Sequence, residues 1–310
     1  MAKPRIILDC DPGHDDAIAL LLAAQHCKVL GVTTVSGNVP LSLTTHNALV
    51  TAQILGLDTP VHAGANRPLV TEPKHAEFIH GETGLGGPDL PELNREAASH
   101  NAVQFIIDTV HAEENIWLIA TGPLTNVALA LRSAPDVAQK LAGISLMGGS
   151  ASFGNVTPVA EFNIWADPEA ADIVFGCGAP IIMSGLNVTH QFMIREEDMA
   201  AIRALDNTAA TFTADMLRFY AQAYAKKFYG RVEGPLHDPC AVLAVTHPEL
   251  FRLEARHVGV ETQGKRTRGM TVVDERGVKE VGESNVQVAY DIDRTKGLEI
   301  LLAAIRAYPS

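Results

Sequence analysis

Cysteine is scarce in this chain and forms no ligand pattern. The 310 residues hold four, Cys10, Cys27, Cys177 and Cys240, in apolar surroundings and without metal-like spacing. A disulfide framework and a zinc cage are both excluded, and buried thiols in a reducing cytoplasm are expected. Positive charge is short as well. Lys and Arg number 24 against 36 Asp and Glu, for a net charge of −12. Nucleic acid and anionic membranes reward clustered Lys and Arg, so neither is expected as a partner. No apolar run approaches the roughly 20 residues of a spanning helix. Residues 1–5 lead straight into a strand-like segment, leaving no room for a signal peptide, and a cytoplasmic protein is the expectation. Repeats, low-complexity tracts and linker-like runs are all missing, so residues 1–310 read as a single domain.

What is present is an alternation of short β-branched runs with amphipathic ones. Segments 6–8, 29–35, 116–120, 144–147 and 180–183 are apolar on both faces, as parallel strands covered by helices are. Helical patterns fall between them at 45–55, 102–112, 124–131 and 168–175, then at 196–204 and, unusually long, 208–228. This order predicts an α/β fold: an open, mostly parallel central sheet flanked by helices, with a Rossmann-like core. "HVGVETQ", "GMTVVDERG" and "VQVAYDI" read as a small antiparallel addition near the C-terminus, closed by a helix over 297–308.

In such sheets ligands gather beyond the carboxyl ends of the strands. Polar clusters fall at those ends: 9–16, Ser36-Gly37-Asn38, Thr121-Gly122-Pro123, Met147-Gly148-Gly149-Ser150 and Asn187. The first, "DCDPGHDD", puts four aspartates within eight positions between apolar runs. Asp15 and Asp16 could simply complement a helix N-terminus. Asp9 and Asp11, at the end of a buried strand, are better explained by a hard divalent cation, and oxygen donors without clustered His or Cys favour calcium or magnesium. Asp-x-Asp phosphohydrolases of the haloacid-dehalogenase type also hold magnesium at a strand end. Their motif continues with Thr or Val where this chain has Gly13, and it has no use for His14-Asp15-Asp16. A metal-dependent phosphohydrolase and a non-catalytic nucleoside or ribose binder are the alternatives to the reading that follows.

"DCDPGHDDAIAL" resembles the signature of the inosine–uridine-preferring nucleoside hydrolases. "VSGN" (35–38), "HGETGLGG" (80–87), "ATGPLTNVALAL" (120–131), "LMGGS" (146–150), "AEFNIWADPEAA" (160–171) and "HDPCA" (237–241) follow in family order. The resemblance implies cleavage of the N-glycosidic bond of ribonucleosides to base and ribose, with one calcium ion per chain. It implies calcium ligation by Asp11, Asp16, the Thr121 carbonyl and Asp238, with Asp11 also taking the proton from the metal-bound water. Asp15, Asn38, Asn155, Glu161 and Asn163 match residues that hold the ribose hydroxyls; Met147 lies at the sugar pocket and Phe162 near the ring oxygen. His237 matches the histidine that protonates the departing base in one branch, His80 sits on a loop that closes over the base, and Tyr229 matches a base contact. A small-molecule ribonucleoside is the implied partner and a homotetramer or homodimer the implied assembly.

Other readings of these residues are structural. Asp238 before Pro239 is a natural helix start, which is compatible with ligation. Asp167 reads as the cap of the helix after "FNIWA", freeing Glu161 and Asn163 for ligand. "GETGLGGPD" lacks the Gly-Lys-Ser/Thr ending of a phosphate loop and reads as a lid. The aromatic stripe of 208–228 reads as packing.

Overall fold

A computed structural model describes residues 3–276 and 283–309 and, of Tyr229, only the backbone. Its centre is an eight-stranded sheet. Strands β1 (Arg5–Cys10), β2 (Lys28–Thr34), β3 (Val61–Ala63), β4 (Ile116–Ala120), β5 (Gly143–Met147) and β6 (Ile181–Ser184) stand in the order β3-β2-β1-β4-β5-β6, all parallel. Strand Val286–Ile292 continues the sheet parallel to β6, and Phe251–Arg256 closes it antiparallel.

The side chains of β1 show why this sheet is covered on both sides. Ile6, Leu8 and Cys10 enter one core with helix α1 (His14–His26) and the helices Thr208–Tyr224, Pro239–Thr246 and Arg294–Arg306. Ile7 enters the other, with Ala102–Ala112, Thr125–Ser133 and Pro168–Phe175. Period-two alternation thus feeds two layers from one strand. The strand order reverses between β1 and β4. The crevice beyond their carboxyl ends is therefore the place where this topology opens a site.

The strand at 116–120 and the helices at 102–112 and 168–175 form where the sequence pattern puts them. Three elements differ. "VQVAYDI" does not join the small C-terminal ribbon, which is only Val258–Val260 against Thr271–Val273. Its Val286 and Val288 belong to one core and its Ala289 and Ile292 to the other, burial that a surface ribbon cannot supply. The edge strand Phe251–Arg256 escapes the pattern because alternate positions carry charge, with Arg252 and Arg256 paired to Glu254. The long helix ends its regular turns at Tyr224 and passes into a wider π-type turn, Ala225–Tyr229, stopped by Gly230 at φ +66°. Among the described residues no helix is long and apolar enough to cross a membrane.

Candidate active site

Asp11 leaves the end of β1 fully buried. The Asn38 backbone N–H donates to its Oδ2 at 2.6 Å, and the Asn38 amide donates to its main-chain oxygen at 3.1 Å. Oδ1 is buried without a hydrogen-bond partner among the described residues. The glycines of "VSGN" and "ATGP" make the room: a Cβ on Gly37 would overlap Oδ2, and one on Gly122 would stand 2.6 Å from Oδ1. Close approach of backbone is the reason for glycine at both places.

Asp15, Asp16 and Asp238 bring carboxylate oxygens within 4.8 Å of one another. Asp16 accepts from the Gly13 N–H (3.0 Å), the Asn38 amide (3.3 Å) and the Thr121 hydroxyl (2.8 Å). Its bond to Gly13 closes the start of α1, so the structural reading of this residue holds beside any other. Asp238 stands before Pro239 at the head of its helix, yet its side chain caps nothing and turns to the cluster. The Thr121 N–H donates to the Asp9 main-chain oxygen at 2.8 Å, fixing the turn after β4.

Among the described residues no Lys or Arg forms an ion pair with Asp11, Asp15, Asp16 or Asp238. Burial pushes all four carboxyls up, Asp15 to about 8. For Asp11, Asp15 and Asp238 the neighbouring carboxylates add to burial. Crowded acids, an orphaned Asp11 Oδ1 and donors that are all oxygen fit a hard divalent metal ion. Asp9 is different. It accepts from the Thr33 hydroxyl (2.6 Å) and the Asn126 amide (2.8 Å), and burial raises it to about 7. Both bonds go to Oδ1; Oδ2 is buried without a hydrogen-bond partner among the described residues.

A cleft opens from this cluster, lined by Asp15, Asn38, His80, Thr121, Met147, Asn155, Glu161, Phe162, Asn163, His237 and Asp238 among others. Asp11 and Asp16 are not part of its wall. Along one side, Glu161 accepts from the N–H groups of Asn163 (2.9 Å), Ile164 (3.2 Å) and Gly149 (2.9 Å); burial nevertheless lifts it to about 7. The Asn163 amide donates to the carbonyls of Thr121 (2.8 Å) and Met147 (3.0 Å), tying together the ends of β4 and β5. Asn155 accepts from the Phe162 N–H at 3.0 Å. Asp167 caps its helix through Ala170, as its position before Pro168 implies.

Two buried histidines also line the cleft, and burial holds both well below the usual imidazole range. His237 Nδ1 lies 2.7 Å from the Thr189 hydroxyl and Nε2 lies 2.9 Å from the Tyr224 hydroxyl. His80 Nδ1 accepts from the His14 backbone N–H at 3.2 Å. The glycines of "GETGLGG" serve contact with the long helix, since a Cβ on Gly86 would stand 2.6 Å from the Phe219 ring. Lys227 and Phe78 meet at the mouth, the ammonium 3.2 Å from the ring centroid.

Asn187 lies outside this arrangement, bonded to Ala151 N–H and the Ala289 carbonyl. The Tyr229 side chain, expected at the base, lies outside the described residues. His14, Thr189, Tyr220, Tyr224 and Lys227 were not anticipated. The i, i+4 spacing of Tyr220 and Tyr224 was visible, but nothing in sequence places a hydroxyl against His237.

The profile of the inosine-uridine preferring nucleoside hydrolases matches residues 6–299. The chain belongs to the nucleoside hydrolase family. It is 45% identical to the pyrimidine-specific ribonucleoside hydrolase RihA of Shewanella woodyi, over 99% of each chain. With the Escherichia coli protein of the same name it shares 44%, over 99% of this chain and all of that one. Among solved structures, a purine-preferring ribonucleoside hydrolase from Gardnerella vaginalis superposes with a TM-score of 0.91 at 34% identity, covering 97% of this chain and 98% of that one. A plant nucleoside hydrolase gives 0.90 at 33%, covering 98% and 99%. As a nucleoside hydrolase, this chain is an enzyme acting on the N-glycosidic bond of ribonucleosides.

Proposed function

We propose that this nucleoside hydrolase cleaves pyrimidine ribonucleosides in nucleoside salvage, and that its metal is a single calcium ion. Near-full-length relatives named as pyrimidine-specific support the base class. The observation that carries the site reading is a buried group of carboxylates without a Lys or Arg partner among the described residues, opening on a cleft that two buried histidines also line. Asp11, Asp16, Asp238 and the Thr121 carbonyl would hold the ion, with Asp15 beside it. When bound, calcium supplies a Lewis acid that acidifies a water and grips a sugar diol.

The chain's own groups supply the rest. Asp11 offers Oδ1 as a proton acceptor, because Asn38 has taken Oδ2. Asp15, Asn38, Asn155, Glu161 and Asn163 orient the ribose, with Met147 and Phe162 beside it. Positive charge develops on the sugar as the C–N bond breaks, and the buried carboxylates stabilise it. The base leaves poorly until protonated. His237 is the acid we assign: as the imidazolium in the substrate complex it gives its Nε2 proton to the Tyr224 hydroxyl 2.9 Å away, which passes its own to the base, and it returns to the neutral imidazole; His80 is a second group at the base. Such a group contributes about 10²–10⁴-fold. No Arg lines the cleft among the described residues, and its Lys227 stands over Phe78 at the mouth, which is poor provision for a phosphate ester. A homodimer or homotetramer in the cytoplasm belongs to the same reading and is checked by light scattering.

The test is a reducing-sugar assay over uridine, cytidine, inosine, adenosine and guanosine, before and after chelation. Ribose release from uridine and cytidine, lost on prolonged chelation and restored by calcium, is the expected result. No ribose from any of the five would refute the proposal.

A further inference from the structure

His14 is the residue in the aspartate block that neither metal nor sugar uses, and it is fully buried. Its ring is the middle member of a stack, 5.4 Å from Phe219 on one side and 5.2 Å from His80 on the other, at interplanar angles of 13° and 22°. Its Nε2 lies 2.8 Å from the carbonyl of Gly86. A carbonyl only accepts, so Nε2 carries the proton and donates. His14 therefore joins the start of α1 to both ends of the 80–86 loop. Asn47 adds a second tie, donating to Pro12 O (2.9 Å) and Thr83 O (2.8 Å).

This attachment decides what His80 can do. His80 Nδ1 accepts the His14 N–H at 3.2 Å and lies 3.0 Å from His14 Nδ1, so His14 holds this edge of the ring with both its backbone and its side chain. That leaves Nε2 as the ring nitrogen without a hydrogen bond among the described residues, in a side chain that lines the cleft. Gly13 leaves the ring its place, since a Cβ there would lie 2.5 Å from Nδ1.

We infer that His14 is a positioning residue: by fastening Gly86 and holding the Nδ1 edge of the His80 ring, it keeps His80 with Nε2 turned to the departing base. The inference rests on the hydrolase reading above. A group held this way acts on the leaving group alone, so its loss is felt only where the leaving group needs help.

Two substrates separate that role from general support of the fold. Uridine loses a poor leaving group, whereas 4-nitrophenyl β-D-ribofuranoside loses a phenolate that departs unaided. His14→Phe keeps the ring stack and removes the bond to Gly86; His14→Gln restores a donor in reach of that carbonyl. For His14→Phe, kcat on uridine is expected to fall about tenfold or more while the nitrophenyl riboside stays within about threefold. His14→Gln should recover part of the uridine loss. In a His80→Ala background the His14→Phe change should cost nothing further, because the two act as one unit. Equal losses on both substrates, no loss on uridine, or a full additional loss without His80 would overturn the inference. A wild-type protein that releases ribose from neither substrate would instead overturn the hydrolase reading, and this inference with it.

Discussion

Asn38 brackets Asp11 from two sides, its backbone N–H on Oδ2 and its side-chain amide on the Asp11 carbonyl oxygen. The grip leaves Asp11 Oδ1 buried without a hydrogen-bond partner among the described residues. A buried carboxylate oxygen without a partner is costly unless something else uses it. Replacing Asp11 by Asn removes a charge from a group that already repels itself. Ribose release is expected to fall about 10²–10⁴-fold. In chelator the variant should melt no lower than wild type. A variant that keeps full turnover would remove Asp11 from the chemistry.

Gly37 and Gly122 shape the space around that carboxylate. Gly122→Ala pushes a methyl group to 2.6 Å from Oδ1, and the carboxylate must move. A misplacement of about 1 Å at a reacting group can cost on the order of 100-fold in rate. We expect that loss together with weaker calcium binding, read by steady-state kinetics and calorimetric titration. Unchanged values for both would show that the carboxylate has more freedom than the packing allows.

The metal-free protein should be sensitive to pH in a stated direction. Asp9 and Glu161 lie near 7 and Asp15 near 8, all raised chiefly by burial. An acid raised on folding binds its proton more tightly in the native state. Its contribution is complete below the ordinary carboxyl range, near 4, and is lost as pH rises through the native values. The melting temperature of chelated protein should therefore fall between about pH 5 and about pH 8. Calcium should flatten that fall, because a cation favours the charged carboxylates and adds binding energy to the native state. Differential scanning calorimetry with and without calcium reads both. Equal slopes would count against the metal site.

Substrates without the 2′-hydroxyl should be poor. Groups built to bind that oxygen would be left unpaired, which can cost on the order of 10⁴-fold. Competing uridine and deoxyuridine in one assay measures the ratio. Comparable turnover would displace the sugar from the place given to it here.

Much of this site was legible in the sequence because its parts sit at strand ends, and strand ends are readable. The run 116–120 is apolar throughout and stops at Thr121-Gly122; the block after Leu8 packs four acids between apolar neighbours. Caps were legible too, since Asp167 before Pro168 has few alternatives. What stayed hidden depends on distance in space. Tyr224 meets His237 only because a helix and a later turn converge, and periodicity assigns that ring to packing alone. His14 reads as a spacer between Gly13 and Asp15 until the 80–86 loop is folded over it. Asp9 was grouped with the metal acids by parity, whereas Thr33 and Asn126, from the neighbouring strand and a helix, are its partners.

The account depends most on one ion. Chelator-stripped protein titrated with calcium, with ribose release from uridine followed in the same samples, tests it directly. One calcium per chain, with activity rising in proportion to occupancy, is the predicted result. Full ribose release from protein shown to contain no divalent metal would contradict it.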